Sequence, residues 1–563
     1  MAASHPEFRR PPWPALAAAA LLVVLTLALF AEGVRLCGAF VYVIDDPYIH
    51  MSMARNLVLH GNWGVNPGSF EPASSSPLWV LLLAAVDRLV AISDRTPLVL
   101  NLIALVAVVL LIDRMLRDFV TRPVVRGLVV LAIGLAIPLA TMVAIGMETT
   151  FHIALILWLV HAVTGSLTAP GRPRAAGVIA VGAIALLCEL ARFESIFLAA
   201  ALAWIAMRRR QPGMALALVL GPALAIAGYA AFSLPHGGMW LPNPVLIKTE
   251  WRDLSGWAWL RFLLHIPDQL IVHRFSHMTG LLVAAGWLWL PRPGRREAQE
   301  LPRMWLEAFL LTALAHVQFA GLGWSFRYES YLVAFGLTAI AAGISRRLYV
   351  RPAWLGTRPL APAARALAAL LVVLVAWPVM SRTVRATRSI PAAMRNMYEE
   401  DHMVTRFVRD HYAGHVVGIN DVGAVSYYAG ARIEDLLGLA SLPMGWARVR
   451  GQCDTRYIER YCAERRVEVA VLNTSFFAGR TRLPDSWQPI MQWKLPEEIS
   501  VGDTVVTLYS VLPDSIARAR AAARAFAPTL SPRLRVEWLE SAALSVPAAA
   551  PRSRSGSRRA PRR

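Results

Sequence analysis

The sequence predicts an α-helical polytopic membrane protein that carries a small soluble α/β domain near its C-terminal end. Three observations predict it. Hydrophobic residues make up 56% of the 563 positions, with a mean hydropathy of +0.47. That is too apolar for a soluble chain of this length, yet not apolar enough for a chain held wholly in a bilayer. Apolar stretches near the length of a bilayer crossing recur along residues 1–380. Arginines gather in alternate connections between them, as membrane topology requires.

The expected spans, in order, lie at 14–36, 97–112, 127–145, 150–164, 175–190, 193–207, 214–234, 275–290, 303–321, 329–345 and 361–380, which makes about eleven. The first is too long for the apolar core of a signal peptide and is read as a retained span. Arg9 and Arg10 precede it. Further arginines lie at 114–126, 172–174, 208–210, 292–296 and 346–351. Placing all of these in the cytoplasm gives a consistent alternation, with the N-terminus inside and the C-terminal domain outside. Pro77–Ile92 then cannot cross. It carries Asp87 and Arg88 and reads as a juxtamembrane helix at the outer interface. A full span there is the alternative topology. The other connections on that outer face, at 37–96, 144–150, 188–194, 235–274 and 321–329, hold acids, aromatics, Gly and Pro. The chemistry is expected in this set, with an active-site loop at 37–96.

Residues 381–513 alternate helix-like stretches, Met403–Tyr412 and Asp454–Arg465, with β-branched runs at His415–Ile419, Val467–Leu472 and Thr504–Val511. That is a small α/β pattern. Residues 514–563 begin as an Ala/Arg helix and end in an Arg/Pro/Ser-rich tail, expected to be partly disordered. No internal repeat, P-loop or Rossmann fingerprint is present.

The formal charge of +20 rests almost wholly on arginine, with only Lys248 and Lys494 as lysines. This bias is compositional and follows topology, so it is not a nucleic-acid signal. The four cysteines form no CxxC pair, which removes zinc-ribbon and thioredoxin-like readings. Cys453 and Cys462 lie nine residues apart. In a helix that is roughly 13 Å, beyond the reach of about 7 Å for a disulfide, so a bond in an oxidising compartment requires the helix to break near Cys453, and both states stay open.

The first outer loop contains Asp45-Asp46-Pro47. Asp before Pro caps a helix, and Ile49, Met53 and Leu57 give that helix an apolar stripe, stopped by Gly61. The expected product is an amphipathic helix flat on the outer leaflet. Capping explains Asp46 but not Asp45. A carboxylate at the membrane face could accept the proton of an attacking hydroxyl. Capping, catalysis and plain solvation all remain open for the pair. Lys248 is the one lysine among many arginines in 1–380. It is either a snorkelling interfacial residue or a cation for a lipid phosphate. Glu148, Arg192, Glu194 and Arg327 are ionisable residues at span ends, where pairing or function is the rule. Trp63, Trp79, Trp240, Trp251, Trp257, Trp259 and Trp324 read as an aromatic belt, which explains them without function.

The run DDPYIHMSMARNLVLHGNWGVNPG resembles the first periplasmic loop of the GT-C membrane glycosyltransferases. It is most similar to the branch containing bacterial arabinofuranosyltransferases that use decaprenyl-phosphate-arabinose. Gly146-Met147-Glu148-Thr149, Ala191-Arg192-Phe193-Glu194, Pro242-Asn243-Pro244 with Lys248, Phe326-Arg327-Tyr328, and Asn420-Asp421-Val422-Gly423-Ala424 followed by Tyr427-Tyr428 are further echoes in order. The resemblance implies a GT-C-like fold in a bacterial inner membrane. It implies an inverting transfer from a polyprenyl-phosphate-linked sugar donor to an extracytoplasmic glycan or glycolipid acceptor. Asp45 would be the base. Asp46 would cap and help hold a divalent cation, with metal use left open. Glu148, Arg192, Glu194, Asn243, Lys248, Arg327 and Tyr328 would bind substrate. Arg192 or Arg327 would take the donor phosphate, and Glu148 the acceptor hydroxyls. Arabinofuranose is suggested only by the nearest relatives. Two other classes stay open: a transporter or flippase of lipid-linked glycans, which should show repeats and broken helices, and a non-catalytic envelope assembly protein.

Overall fold

The structure, a computed structural model, describes residues 12–171, 173–247, 258–272, 276–290, 300–349, 376–477, 481–500 and 502–539. A helical bundle holds the N-terminal two thirds. It comprises α1 (Trp13–Cys37), α2 (Asp46–His60), α3 (Pro77–Leu89), α4 (Thr96–Leu116), α5 (Pro123–Ala136), α6 (Leu139–Ile145), α7 (Thr149–Thr168), α8 (Ala175–Ala191), α9 (Ser195–Arg208) and α10 (Pro212–Ser233). It continues with α11 (Asn243–Ile247), α12 (Ala258–Pro267), α13 (Ser276–Trp289), α14 (Glu300–Phe319) and α15 (Ser330–Tyr349).

Four of these, α1, α4, α7 and α10, are long and apolar enough to cross a bilayer. α5 and α6 make a fifth if the pair, bent by 44°, counts as one. Length and composition therefore do not reach the expected eleven. α8, α9 and α13 have 17, 14 and 14 residues, about 21–26 Å of helix against a hydrocarbon core of about 30 Å. α14 is long enough but carries Glu300, Arg303 and Glu307. The expected span at 361–380 lies outside the described residues up to 375. α3 has 13 residues and is too short to cross, as expected of a juxtamembrane helix. Large apolar side chains face outward from α1, α4, α5 and α10, including Val24, Ile103, Leu128 and Leu224. That is the surface a lipid would cover.

The bundle has one basic end and one mixed end. Asp113, near the C-terminus of α4, is buried against Arg126 at 2.6 Å. At the other end of α4, Tyr42 Oη donates to the Asp94 carbonyl and accepts from Leu98 N. The soluble domain docks at that second end, where Tyr428 Oη donates to Asp94 at 2.9 Å.

A helix over 376–388, α16, leads into the soluble domain. There follow α17 (Ile390–Met397), a π-helical turn at Tyr398–His402, α18 (Met403–Tyr412), α19 (Gly423–Tyr428), α20 (Leu442–Val449), α21 (Thr455–Glu464) and α22 (Ile516–Phe526). The strands are β1 (Val416–Ile419), β2 (Arg432–Asp435), β3 (Val469–Leu472), β4 (Gln488–Lys494), β5 (Val505–Ser510) and β6 (Arg535–Trp538). They form one sheet in the order β2-β1-β3-β5-β4-β6. The first three strands are parallel, and β3–β5, β5–β4 and β4–β6 are antiparallel. Alternation along β3 builds both faces. Val469 and Val471 enter the core shared with α18, α22 and the bundle. Ala470 and Leu472 enter the core under α21. The sheet runs past the boundary expected at 513, because α22 packs on it and β6 pairs with β4. Cys453 and Cys462 are free thiols.

Candidate active site

α2 begins at the acidic pair. Asp45 occupies its N-cap position and Pro47 its first turn, but no side chain caps this helix. The expectation that Asp46 caps it is not met. Asp46 instead pairs with Arg327. Asp45 reaches across to the soluble domain, where its Oδ2 accepts from Gly423 N at 2.5 Å and its Oδ1 from Ala424 N at 2.7 Å. Gly423 permits this approach. A Cβ there would collide with the carbonyl and carboxylate oxygens of Asp45.

α2 is also not a helix lying on a lipid surface. Tyr48, His50, Met51, Ser52, Met53, Ala54 and Asn56 are all buried, so every face is covered. It packs between α3 and α19. Ser52 Oγ and Ser426 Oγ share a hydrogen bond of 2.8 Å, and Arg55 donates to the carbonyls of Ser426 and Tyr427. Trp79 and Trp63 are likewise core residues rather than belt residues, at 0% and 7% exposure.

Behind Asp46 lies a continuous ionic chain. Arg327 and Arg192 sit on the ring of Tyr328, 5.3 and 5.6 Å from its centroid. Arg192 pairs with Glu148 at 2.7 Å and with Glu194 at 2.9 Å. Local sequence explains each position. Gly146 takes φ +74° at the end of α6, against the ring of Tyr42, and delivers Glu148 to the start of α7. Arg192 ends α8, and Glu194 precedes α9. Two atoms are buried without a hydrogen-bond partner among the described residues, Glu148 Oε2 and Arg327 Nε.

The segment presenting Arg327 is strained. Trp324, Ser325 and Phe326 have φ of +39°, +56° and +66°. Left-handed geometry costs about 1–2 kcal/mol for each non-glycine residue. Such runs persist where the surroundings impose them and cluster at functional sites. Here Arg382 donates to the Phe326 carbonyl at 2.7 Å and pairs with Glu329 at 2.9 Å. Glu329 in turn accepts from Gly323 N at 2.8 Å.

Asp45 and Asp46 open onto a small pocket of about 40 Å³, also lined by Trp324, Glu400, Asp401, Asp421 and Phe476. Glu400 and Asp401 come from the π-helical turn, a distortion often found at functional sites. Asp421 follows the C-terminal end of β1. Asn473, after β3, donates to Glu400 and exchanges hydrogen bonds with Asn420. Ligands of open sheets gather beyond the carboxyl ends of parallel strands, and these residues occupy that place. Carboxylate oxygens of Glu400, Asp401 and Asp421 lie within 4.8 Å of one another. An ionised pair at about 5 Å repels by about 3 kcal/mol at an effective dielectric constant of about 20.

The pocket walls desolvate Asp45 and push its carboxyl up to about 7, against the pull of its two backbone N–H donors. Asp401 and Asp421 are raised by burial and then by the surrounding carboxylates. Burial followed by Asp421 raises Glu400.

Of the residues expected from sequence, Asp45 and Asp46 line the pocket. Glu148, Arg192, Glu194, Arg327 and Tyr328 join Asp46 in one network. Asn243 is elsewhere. Its amide donates to the carbonyls of Gly438 and Ser441 at 3.2 and 3.3 Å, which ties α11 to the soluble domain. Lys248 lies outside the described residues. Sequence reasoning missed Glu400 and Asp401. The available signal was Glu399-Glu400-Asp401, three consecutive acids after an arginine-rich helix.

The family described as "Domain of unknown function (DUF8728)" matches residues 392–509, most of the soluble domain. No curated protein matches. Two crystal structures of ArnT from Cupriavidus metallidurans are similar, one bound to undecaprenyl phosphate and one in the apo state. Their TM-scores are 0.49 and 0.48, each at 12% identity over 88% of this chain and 98% of theirs.

Proposed function

We propose that this chain is a membrane glycosyltransferase that moves a sugar from a polyprenyl-phosphate donor to a glycan or glycolipid acceptor. The observation that carries this reading is the convergence of Asp45 and Asp46 on one pocket with the ionic chain running from Arg327 to Glu148. Those residues are the motifs that resemble the GT-C glycosyltransferases, and they lie far apart in sequence. The pocket lies between the apolar bundle and the soluble domain, where a lipid-anchored donor could meet a water-borne acceptor.

Asp45 accepts the proton of the attacking hydroxyl. Its carboxyl, held near neutrality, suits a base that must be ionised when attack begins yet retain affinity for a proton. Its two backbone donors aim it and leave lone pairs for the acceptor. The hydroxyl oxygen forms a bond to the anomeric carbon as the bond to the lipid phosphate breaks, with inversion. Arg327 is the cation nearest the pair, and its unpartnered Nε offers a donor to the departing phosphate. Arg192 is held between two carboxylates and acts as the strut that positions Arg327 through Tyr328. Lys248 is a second candidate for the phosphate. Trp324, half exposed at the pocket, offers a face for the sugar ring. Arabinofuranose fits this reading, as do other pentoses and hexoses.

Supplying labelled polyprenyl-phosphate sugar to membranes that carry Asp45→Asn tests it. Transfer should fall by about three orders of magnitude or more while the protein inserts and elutes as a folded species. Asp45→Glu should retain part of the activity. Unchanged transfer in Asp45→Asn removes the proposal.

A further inference from the structure

The pocket contains more negative charge than a single base needs. Glu400, Asp401 and Asp421 arise from two segments, the π-helical turn and the end of β1, and carboxylate oxygens of the three lie within 4.8 Å of one another. None of the three has an ion pair among the described residues, and Arg327 is engaged with Asp46. Glu400 is 1% exposed. One of its oxygens takes the Asn473 amide. The other, Oε2, is buried without a hydrogen-bond partner and belongs to a residue lining the pocket. A buried, unpartnered carboxylate oxygen on a residue that lines a pocket of carboxylates lacks a positive ligand.

We propose that Glu400, Asp401 and Asp421 bind one calcium-sized divalent cation at the wall of the pocket shared with Asp45 and Asp46. All-carboxylate donors select a hard ion. Size then separates the candidates. Calcium–oxygen bonds of 2.3–2.6 Å allow ligand atoms on one ion to lie up to about 5 Å apart, whereas magnesium at 2.0–2.1 Å allows about 4 Å. An upper bound of 4.8 Å on the oxygen separations is within the reach of calcium. Three carboxylates leave coordination positions for water or for an anionic oxygen entering the pocket. The proposal stands whether or not the pocket transfers a sugar.

Full-length protein in lipid nanodiscs, stripped of metal, would be titrated calorimetrically with calcium chloride. One saturable site per chain is expected. Magnesium chloride should bind at least tenfold more weakly, and equal affinity overturns the size assignment. Glu400→Gln and Asp421→Asn should each weaken calcium binding at least tenfold. In chelator both variants should melt at or above the wild-type temperature, since each loses one like charge, and calcium should raise only the wild-type midpoint. Absent binding in wild type, or unchanged binding in both variants, overturns the site. Asp45→Asn should keep the calcium isotherm even where transfer is lost, so the two proposals fail separately.

Discussion

Asp45 and Asp46 are adjacent in sequence and opposite in attachment. Asp46 binds back into the bundle through Arg327, while Asp45 binds forward into the soluble domain through Gly423 and Ala424. Because burial pushes the Asp45 carboxyl up to about 7, the base is protonated, and inactive, at acid pH. Transfer should rise about tenfold per pH unit below 7 and level off above it, as a pH–rate profile would show. A bound divalent cation should move that midpoint downward, because positive charge favours the ionised form. Arg192 offers a second test. Arg192→Ala would leave Glu148, whose side chain is wholly buried, and Glu194 without their partner. Breaking a buried pair in this way costs about 3–5 kcal/mol, so the unfolding midpoint in detergent should drop. Lysine would be a poor replacement, since an ammonium lacks the planar fork that serves two carboxylates.

At the scale of elements, α2 differs most from its sequence signature. Ile49, Met53 and Leu57 mark one apolar stripe, but the intervening Ser52, Arg55 and Asn56 are also engaged. Small polar residues on the second face suit close contact with α19, which contributes Ser426 in return. A single sequence shows the stripe and not the partner, so a surface helix and a sandwiched one look alike. Gly423 is the tightest point of this contact. Gly423→Ala should displace Asp45 from its two N–H donors and lower kcat at least tenfold without preventing insertion. Wild-type activity in that variant would mean that Asp45 works without this seat. The strained turn at Trp324–Phe326 was equally invisible, since no glycine marks those three positions. It is imposed by Arg382 and Glu329, which lie 53 residues apart in the chain.

For the whole molecule, the pocket is an electrostatic cost of assembly. Asp45 shifts from an ordinary value of 3.8 to about 7 on folding, and Glu400, Asp401 and Asp421 shift in the same direction. Between about pH 4 and pH 7 these four carboxyls therefore bind more protons in the folded chain than in the unfolded one, and their contribution to stability falls as pH rises through that window. In chelator the melting temperature should be higher at pH 5 than at pH 8. The opposite slope would mean that the cluster is not confined as described.

The sequence by itself determined the apolar helical chain, the interfacial length of α3, the α/β alternation of the soluble domain, and the acids and arginines at helix ends. These rest on local periodicity, segment length and the cost of charge in an apolar medium, all of which are written along the chain. Tertiary structure alone decided that Asp45 is held by the soluble domain, that Asp46 belongs to Arg327, and that Asn243 serves the domain junction. It also decided that Glu400 and Asp401, some 355 residues after the acidic pair, share its pocket. Those are through-space pairings set by how the soluble domain docks on the bundle, and no local pattern encodes them.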